Sequence, residues 1–455
     1  MVSSVQHDIN TEVVILGGGF AGLATAYYLG RAGYDCVVVE KSSTLGGLAS
    51  TFSIENTRLE KYYHHMFTTD QHLYSLINDL GLVDQFIKRK STMALYSNGE
   101  FFKFNSPLDL LRCTAMNFFD RIRFGLATLV ISKRPSSKAL DKVTAISWLR
   151  SIYGKNITKL IWEPLLRSKF GKEVDHVSAA WIFERIAKRA DSREKGGTRE
   201  ALIYPVGSYQ ILFDKIIEKI KLQNNQLLCN TTVEHLLFDN SGRVNGIHTS
   251  LGDIRARQVV ATIPTPLLLN LFSGHQTNKI DDESRLLNDL CKNLRQIRYQ
   301  ASVVVILKCN RRLFPYYWIN IADEEFPFSV IVAHTELVPS QDYGNKHIYY
   351  IGAYTSPNSS LYKTPDREVL SLLLPYLFKL NSSMEVKDIE QHYVFRSIEA
   401  TPVFTTGFYE LMPPIKSPIE GLYLCTNTQI YPYSRNLDST LRLVRATVDA
   451  VVSAT

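Results

Sequence analysis

The sequence lacks the features of several common protein classes. Its six cysteines form no CxxC pair and no zinc-type spacing, which argues against a disulfide framework and favours the reducing cytoplasm. No run approaches the about 20 apolar residues of a membrane-spanning helix, and no apolar signal core opens the chain. We therefore expect a soluble, cytoplasmic protein, with a peripheral membrane contact left open.

Blocks of charge are also missing. The chain has 51 Lys and Arg against 44 Asp and Glu, a net charge of +7 that is spread along its 455 residues. This pattern does not predict nucleic-acid binding, although it suits anionic ligands. With 45% hydrophobic and 21% charged residues, the composition is globular, and the length predicts two or three domains. The sequence indicates no oligomeric state.

Two kinds of catalytic centre are not indicated. The pair Gly207-Ser208 lacks the second glycine of a nucleophile elbow, so no Ser-His-Asp hydrolase is predicted. His64 and His65 are adjacent, and adjacent side chains on an extended segment point to opposite faces. They are poor co-ligands, and we predict no metal site.

A dinucleotide-binding motif opens the chain. Residues 12–16 (EVVIL) predict a buried parallel strand, and Gly17, Gly19 and Gly22 follow at once as G-x-G-x-x-G before a helical pattern. The first glycine permits a tight turn, the second lets the backbone approach a pyrophosphate, and the third lets the helix lie close to the sheet. The helix N-terminus then offers N–H groups to the phosphates.

An acid completes the motif. A second strand, Cys36–Val39, ends at Glu40, which lies 18 residues after Gly22, where a carboxylate can bind ribose hydroxyls. An acid at this position favours an adenosine ribose without a 2′-phosphate, and hence FAD or NAD over NADP.

The residues that follow separate FAD from NAD. After Glu40 come Lys41 and, beyond a short spacer, Gly46-Gly47-Leu48-Ala49. This pattern resembles the flavoprotein superfamily of amine oxidases, protoporphyrinogen oxidases, phytoene desaturases and UDP-galactopyranose mutases. Many of these have Arg after the glycine pair, so Leu48 implies that any phosphate contact there uses the main chain.

The resemblance extends along nearly the whole chain and is closest to a bacterial protoporphyrinogen-oxidase-like group. Its marks are residues 61–67 (KYYHHMF), 162–166 (WEPLL), 169–171 (KFG), 204–208 (YPVGS), 317–320 (YWIN) and 429–432 (QIYP). Two positions depart from the pattern. Ala333 stands where relatives often carry Glu, and Asn427 stands near where amine oxidases place an acid.

The resemblance implies an α/β fold with a Rossmann-like FAD-binding domain on a parallel sheet. This domain is discontinuous in sequence and comprises residues 1–70, 200–275 and 415–455. Residues 71–199 form a helical substrate or lid insert, and residues 276–414 form a substrate domain whose antiparallel sheet roofs the flavin. Substrate then binds where the domains meet.

The cofactor implied is FAD, held without a covalent bond. Val233 would touch the adenine, and Asp438, Ser439 and Thr440 would cap the last helix and aim its N-terminus at the flavin. The cofactor-binding residues predicted in this way are Gly17, Gly19, Phe20, Ala21, Gly22, Glu40, Lys41, Gly46, Gly47, Leu48, Ala49, His65, Val233, Thr262, Asn427, Asp438, Ser439 and Thr440.

The residues predicted to act on substrate are fewer. His65 would face the flavin and His334 the cavity, as candidate catalytic groups; the alternative is that both are structural histidines. The candidate substrate residues are Tyr63, Trp162, Lys169, Trp318 and Asn320.

Two further segments have two interpretations each. An amphipathic helix over residues 107–134 is predicted to cover the substrate cavity in preference to touching lipid. A basic cluster is predicted to be a solvated face in preference to a site for an anionic substrate. Its members are Arg185, Lys188, Arg189, Arg193, Lys195 and Arg199.

The function predicted is that of an FAD-dependent oxidoreductase that takes a hydride from a carbon of a small molecule. The chain has no second glycine-rich Rossmann motif for NAD(P)H, so oxygen or a quinone is the expected electron acceptor. Two alternatives stay open. One is a non-redox pyranose–furanose mutase acting on a nucleotide- or lipid-linked sugar; the other is a flavin-binding protein without catalysis.

Overall fold

A computed structural model describes residues 9–191, 200–272 and 282–454. The strands are β1 (Ile9–Leu16), β2 (Cys36–Val39), β3 (Thr51–Ile54), β4 (Thr57–Glu60), β5 (Met66–Phe67), β6 (Phe86–Lys90), β7 (Met93–Ser97), β8 (Glu100–Lys103), β9 (Ala201–Pro205), β10 (Gln226–Leu228), β11 (Val233–Phe238), β12 (Val244–Thr249), β13 (Gly252–Ala261), β14 (Tyr299–Cys309), β15 (Trp318–Ile321), β16 (Val330–Ala333), β17 (His347–Thr355), β18 (Ile389–Pro402) and β19 (Leu422–Leu424).

Helices lie between the strands along the whole chain. They are α1 (Phe20–Arg31), α2 (Gln71–Asp79), α3 (Pro107–Arg112), α4 (Phe118–Ser132), α5 (Ala145–Tyr153), α6 (Lys155–Ile157), α7 (Glu163–Phe170), α8 (Ala179–Asp191), α9 (Gln210–Leu222), α10 (Thr265–Leu271), α11 (Asp282–Gln296), α12 (Ser360–Lys363), α13 (Asp366–Leu380), α14 (Phe408–Leu411) and α15 (Leu437–Val452).

The first large sheet has the order β10-β2-β1-β13-β12-β11, and β19 also pairs with β13. Strands β10, β2, β1, β13 and β19 run parallel, whereas β12 and β11 are antiparallel additions. Successive side chains of β1 enter different cores: Val13 and Ile15 pack with residues of α1, α9 and α15, and Val14 and Leu16 with residues of α10 and α11. A buried parallel strand must be apolar on both faces, which explains its continuous hydrophobic run.

The second large sheet has the order β18-β14-β17-β16-β15-β7-β8 and is antiparallel except where β15 meets β7. One face packs against α13 through Val369, Leu373 and Leu377. The opposite face lines a large cavity and forms its roof. Strands β7 and β8 come from the segment predicted to be mainly helical, so that insert contributes to the sheet as well.

The α/β fold class is therefore confirmed, with corrections to single elements. Residues 226–238 form two strands, β10 and β11, which lie at opposite ends of the order of the first sheet. The predicted helix over residues 107–134 is two helices, α3 and α4, each with its own N-cap, Ser106 and Asn117. Asn117 lies inside the apolar run and caps the start of α4, so a second helix begins there instead of the first one continuing. Each cap side chain accepts a hydrogen bond from a backbone N–H of the helix that follows it.

Candidate functional site

The glycine motif forms the turn that its spacing predicts. Gly17 has φ +100°, in the left-handed region that favours glycine, and its carbonyl lies against α1. A Cβ atom on Gly22 would be 1.9 Å from the Gly17 oxygen, so no other residue fits there without displacing the backbone. The Thr262 hydroxyl donates to the Leu16 carbonyl at 2.7 Å and holds the turn from the neighbouring strand.

The second glycine pair lies directly on the first motif. Gly46 donates its N–H to the Gly18 carbonyl at 2.8 Å, and Gly46 also forms a parallel bridge with Gly19. A Cβ atom on Gly47 would be 3.0 Å from Gly19 Cα. Two backbone segments approach this closely only because neither carries a side chain at the contact.

Glu40 is fixed beside this turn. Its carboxylate accepts the Gly18 N–H at 2.7 Å through one oxygen and the Ser42 N–H at 2.9 Å through the other. Each carboxylate oxygen has two acceptor positions, so both oxygens can still accept a hydroxyl proton. The carboxylate is thus oriented and keeps capacity for ribose.

A single cavity of about 1060 Å³ begins at these glycines and continues under the roof sheet. The predicted residues that line it are Gly17, Gly19, Phe20, Ala21, Glu40, Lys41, Gly46, Gly47, Leu48, Ala49, Tyr63, His65, Trp162, Lys169, Val233, Thr262, Trp318, Asn320, Asn427 and Thr440. Gly22, Ser439, Asp438 and His334 are not in its wall. The structure therefore brings most of the predicted set together.

His334 does not line the cavity, contrary to the prediction that it faces the cavity. It lies at the end of β16, with its ring among Tyr204, Tyr343 and Tyr350 and its Nε2 2.7 Å from the Tyr343 hydroxyl. The side chain therefore belongs to the hydrophobic core beside the cavity, on the same side of the roof sheet. Burial lowers its pKa to about 3, and the imidazole is neutral.

Asp438 has a different role from the one predicted. The residue that caps α15 is Asn436, whose side chain accepts the Ser439 N–H at 2.8 Å. Asp438 instead accepts the N–H groups of His72 at 2.8 Å and Leu73 at 3.1 Å, at the start of α2. The N-cap is the residue immediately before a helix, and asparagine is as effective there as aspartate. Asp438 lies inside the first turn and does not occupy the cap position.

The histidine pair lines the cavity with both members. His64 places Nδ1 2.6 Å from the Tyr62 carbonyl, which fixes its proton on that nitrogen, and His65 places Nδ1 3.0 Å from the Tyr317 hydroxyl. Burial lowers the pKa of His65 to about 3, with the positive charge of Arg189 adding to the effect. Both rings are therefore uncharged hydrogen-bonding groups at neutral pH.

Strand register places the aromatic residues of the roof. Trp318 and Asn320 are two apart on β15, so both face the cavity, and the indole N–H donates to the amide oxygen at 2.9 Å. Gly352 on β17 leaves room for Tyr63: a Cβ atom there would be 2.9 Å from Val330 Cγ1 and 3.2 Å from a Tyr63 ring carbon. The small residue lets an aromatic ring lie against the sheet.

Trp162 lies in the wall opposite the roof. It ends the π-helical turn Thr158–Trp162, and its ring is stacked on Phe124 with an interplanar angle of 3°. Its buried Nε1 has no hydrogen-bond partner among the described residues. A buried donor without a partner is costly, so this N–H is available to a ligand.

The basic cluster is not the solvated face that was predicted, as far as it is described. Arg185, Lys188 and Arg189 on α8 line the cavity, while Arg193, Lys195 and Arg199 lie outside the described residues. Lys188 is paired, with Nζ 2.6 Å from an oxygen of Asp70. The apolar side chains of α8 are mostly buried, and three of its basic side chains line the cavity.

Two comparisons with known proteins agree on the family. A sequence profile described as flavin-containing amine oxidoreductase matches residues 20–434. The 15-cis-phytoene desaturase of Narcissus pseudonarcissus is 25% identical over 272 residues, which are 54% of this chain and 47% of that protein. The chain therefore spans about half the length of this relative.

This chain belongs to the flavin-containing amine oxidoreductase family.

Solved structures confirm the fold. A presumptive protoporphyrinogen oxidase from Exiguobacterium sp. 255-15 superposes with a TM-score of 0.74, 17% identity and coverage of 99% of this chain and 100% of that one. Reduced UDP-galactopyranose mutase gives 0.71 at 17% identity, with coverage of 98% and 96%. The resemblance to this superfamily stated from the motifs is confirmed, and family membership implies a flavin cofactor.

The residues present fit a flavin dinucleotide. No side chain caps the N-terminus of α1 and no acid lies in its first turn, so its N–H groups can meet a pyrophosphate. Because the glycines carry no side chains, their backbone is accessible where the pyrophosphate is expected to lie. Val233 and Glu40 line the same end of the cavity. The assignment of individual residues to the cofactor stays a prediction.

Sequence reasoning missed two residues of the cavity. Tyr354 on β17 and Arg435, just before α15, line it together with Lys169. Burial alone would raise the pKa of Tyr354, but the positive charges of Lys169, Arg435 and Arg185 outweigh it and lower the value. No motif marks either residue, because their meeting depends on the packing of distant segments.

Two predicted absences can be compared only with the described residues, and a third prediction, the domain boundaries, is not tested. No helix in residues 9–191, 200–272 and 282–454 has the length and apolarity to cross a bilayer. Within the same residues, no cluster of His, Cys, Asp and Glu has metal-site geometry. The predicted domain boundaries stay predictions.

Proposed function

We propose that this protein is an FAD-dependent oxidoreductase that removes a hydride from a carbon atom of a small-molecule substrate. The observation that carries the proposal is the continuity of one cavity from the glycine turn to an aromatic-lined chamber under the roof sheet. A cofactor held at the first end reaches a substrate held at the second without crossing solvent. When bound, the flavin accepts the hydride and passes two electrons to oxygen or a quinone.

The chain's own residues orient the substrate and exclude water. Tyr63 and Trp318 meet edge to face, with ring centroids 5.2 Å apart, and close the chamber from the roof side. Their apolar surfaces hold the reacting carbon, while Asn320 and the neutral His65 offer hydrogen bonds to polar substrate atoms. As the hydride leaves, an N–H, O–H or C–H group of the substrate releases a proton, so the substrate loses two electrons in all. The proton and the hydride equivalent end on the acceptor, as hydrogen peroxide from oxygen or as a quinol from a quinone.

Non-covalent retention of FAD is part of the proposal. Cys425 is the cysteine that lines the cavity. Burial raises the pKa of its thiol to about 11, so it stays protonated and is a poor nucleophile. After acid precipitation, the yellow colour is expected in the supernatant; colour retained in the protein pellet contradicts this part.

The reaction is tested by mixing the oxidised protein with candidate amines, porphyrinogens, polyenes and nucleotide sugars without oxygen. Bleaching of the flavin absorbance by a substrate, and its return in air, is the expected result. A protein that contains flavin but is bleached by none of these classes, and turns over none, matches the non-catalytic alternative.

A pyranose–furanose mutase remains the second candidate, because cations line the substrate end of the cavity and a sugar diphosphate would suit them. The discriminating result is a sugar isomer that forms only after dithionite reduction, with no electrons consumed. Consumption of one oxygen or quinone per product excludes it.

A further inference from the structure

Three cations in the substrate end of the cavity have no acidic partner. They are Lys169 at the end of α7, Arg185 in the middle of α8, and Arg435 before α15. Within residues 9–191, 200–272 and 282–454, no carboxylate oxygen lies within 4.0 Å of their charged nitrogens. Arg435 donates to the Ala400 carbonyl, which is a neutral acceptor.

Other cations of the same cavity are paired. Lys188 contacts Asp70, and Arg396 contacts Asp366. Glu399 also lines the cavity, but it forms no ion pair with the three cations. The cavity therefore holds both paired and unpaired cations, and Lys169, Arg185 and Arg435 are among the unpaired ones.

Lys169 and Arg185 share one aromatic neighbour, Trp181, and all three cations lower the pKa of Tyr354. Lys169 Nζ lies 4.3 Å from the ring centroid of Tyr354 and 5.4 Å from that of Trp181, and Arg185 lies over Trp181 at 5.6 Å. Aromatic faces stabilise a cation in part. Burial lowers the pKa of Lys169 to about 8; the positive charges of Arg185 and Arg435 act in the same direction, and Tyr354 acts against them.

Uncompensated charge in a buried site costs free energy, and an incoming anion removes that cost. Guanidinium groups bind planar carboxylates and phosphates with two parallel hydrogen bonds. We propose that Lys169, Arg185 and Arg435 form an anion subsite that binds an acidic group, a carboxylate or a phosphate, on the substrate. This inference rests on the proposed function, because it names the class of substrate that the cavity accepts.

The test uses the flavin-loaded protein and three small probes that share a phenyl ring. Phenylacetate and phenyl phosphate carry the two acidic groups, and phenylacetamide is neutral and similar in shape. Binding is measured by calorimetry at low salt, together with the change in the visible flavin spectrum. We expect at least one anion to bind about 10-fold or more tightly than the amide, and the stronger anion identifies the acidic group.

Arg185→Gln is expected to weaken the anion about 10- to 100-fold and to leave the amide unchanged. Arg185→Lys should recover part of the affinity, and Lys169→Gln provides a second variant should the first be unstable. The control is Arg367→Gln, an exposed arginine on α13 that pairs with Glu368. It should change neither affinity.

The outcomes separate this inference from the proposed function. Protein that holds no flavin overturns both. Protein with a normal flavin spectrum overturns the anion subsite alone if neither anion binds, if acid and amide bind equally, or if Arg185→Gln and Lys169→Gln leave the anion affinity unchanged.

Discussion

The two ends of the cavity are built in different ways. The end of the cavity at the glycine motifs, where the proposal places the cofactor, is called the nucleotide end and is built mainly from backbone. It consists of glycine turns that touch, helix N–H groups and one carboxylate, all within residues 9–50 and the strands beside them. The substrate end consists of side chains from α7, α8, β15, β17 and the segment before α15. A substitution that adds even one atom to the glycine turns is expected to displace the backbone there. At the substrate end, a substitution that changes the shape of a side chain is expected to matter less than one that changes its charge.

Gly22→Ala tests the backbone end and has the largest expected effect. The added Cβ would be 1.9 Å from the Gly17 oxygen, so the turn must open. We expect loss of bound flavin and a decrease of about 3 kcal/mol or more in the free energy of unfolding. The flavin-to-protein absorbance ratio and thermal unfolding measure both.

The matched control is Gly125→Ala on α4, where the nearest atom to the new Cβ is 3.6 Å away. It should retain flavin and gain up to about 1 kcal/mol from helix propensity. A Gly22→Ala protein that behaves like this control contradicts the close packing of the turn.

Glu40→Ala is expected to weaken FAD binding by about 1.5–3 kcal/mol, the range for hydrogen bonds to a charged group. Two backbone donors, Gly18 and Ser42, also lose their acceptor. Equilibrium dialysis of flavin from the protein gives the affinity. Glu218→Ala, an exposed acid paired with Lys215, serves as control, and an unchanged affinity in Glu40→Ala rules out the ribose assignment.

Gly352→Ala applies the Gly-to-Ala change to the substrate end. The new methyl group would press on Val330 and Tyr63 in the roof, at 2.9 and 3.2 Å. We expect about 1–3 kcal/mol of destabilisation and altered substrate binding, with flavin content retained. Flavin loss as complete as in Gly22→Ala would show that the two ends are not independent.

The effect of Lys169→Met on stability is expected to depend on pH. Burial lowers the folded-state pKa of Lys169 to about 8 from its usual 10.5. Below about pH 8 the native state holds an unfavourable charge, so the variant should be more stable than the wild type. As pH rises from about 8 to 10.5 the advantage should decline, because the folded wild type then loses its proton first.

Denaturant unfolding of both proteins across this pH range gives the difference, with Lys103→Met on the exposed strand β8 as control. A stability difference that stays constant with pH contradicts the unpaired state of Lys169. Addition of an anion that binds the subsite should reduce the difference below pH 8.

Several predicted elements matched because their signals are local. Cys36–Val39 is a strand at the predicted residues, β1 includes the predicted residues 12–16, and α1 follows the glycine motif as expected. Errors arose where tertiary context decides. The face that α8 presents to the cavity cannot be read from a run of charges. His334 follows the end of β16 and packs into the core beside the cavity, which no local pattern indicates.

The sequence by itself determined the nucleotide end. Its glycines, helix and acid lie within a few dozen residues, and each has a conformational requirement that the amino-acid type alone expresses. Only the tertiary structure decided the substrate end. Lys169, Arg185, Tyr354 and Arg435 are far apart in the chain, and nothing in their own neighbourhoods specifies that they meet. Their charges become significant because packing removes them from water in one shared cavity, and burial is a property of the whole fold.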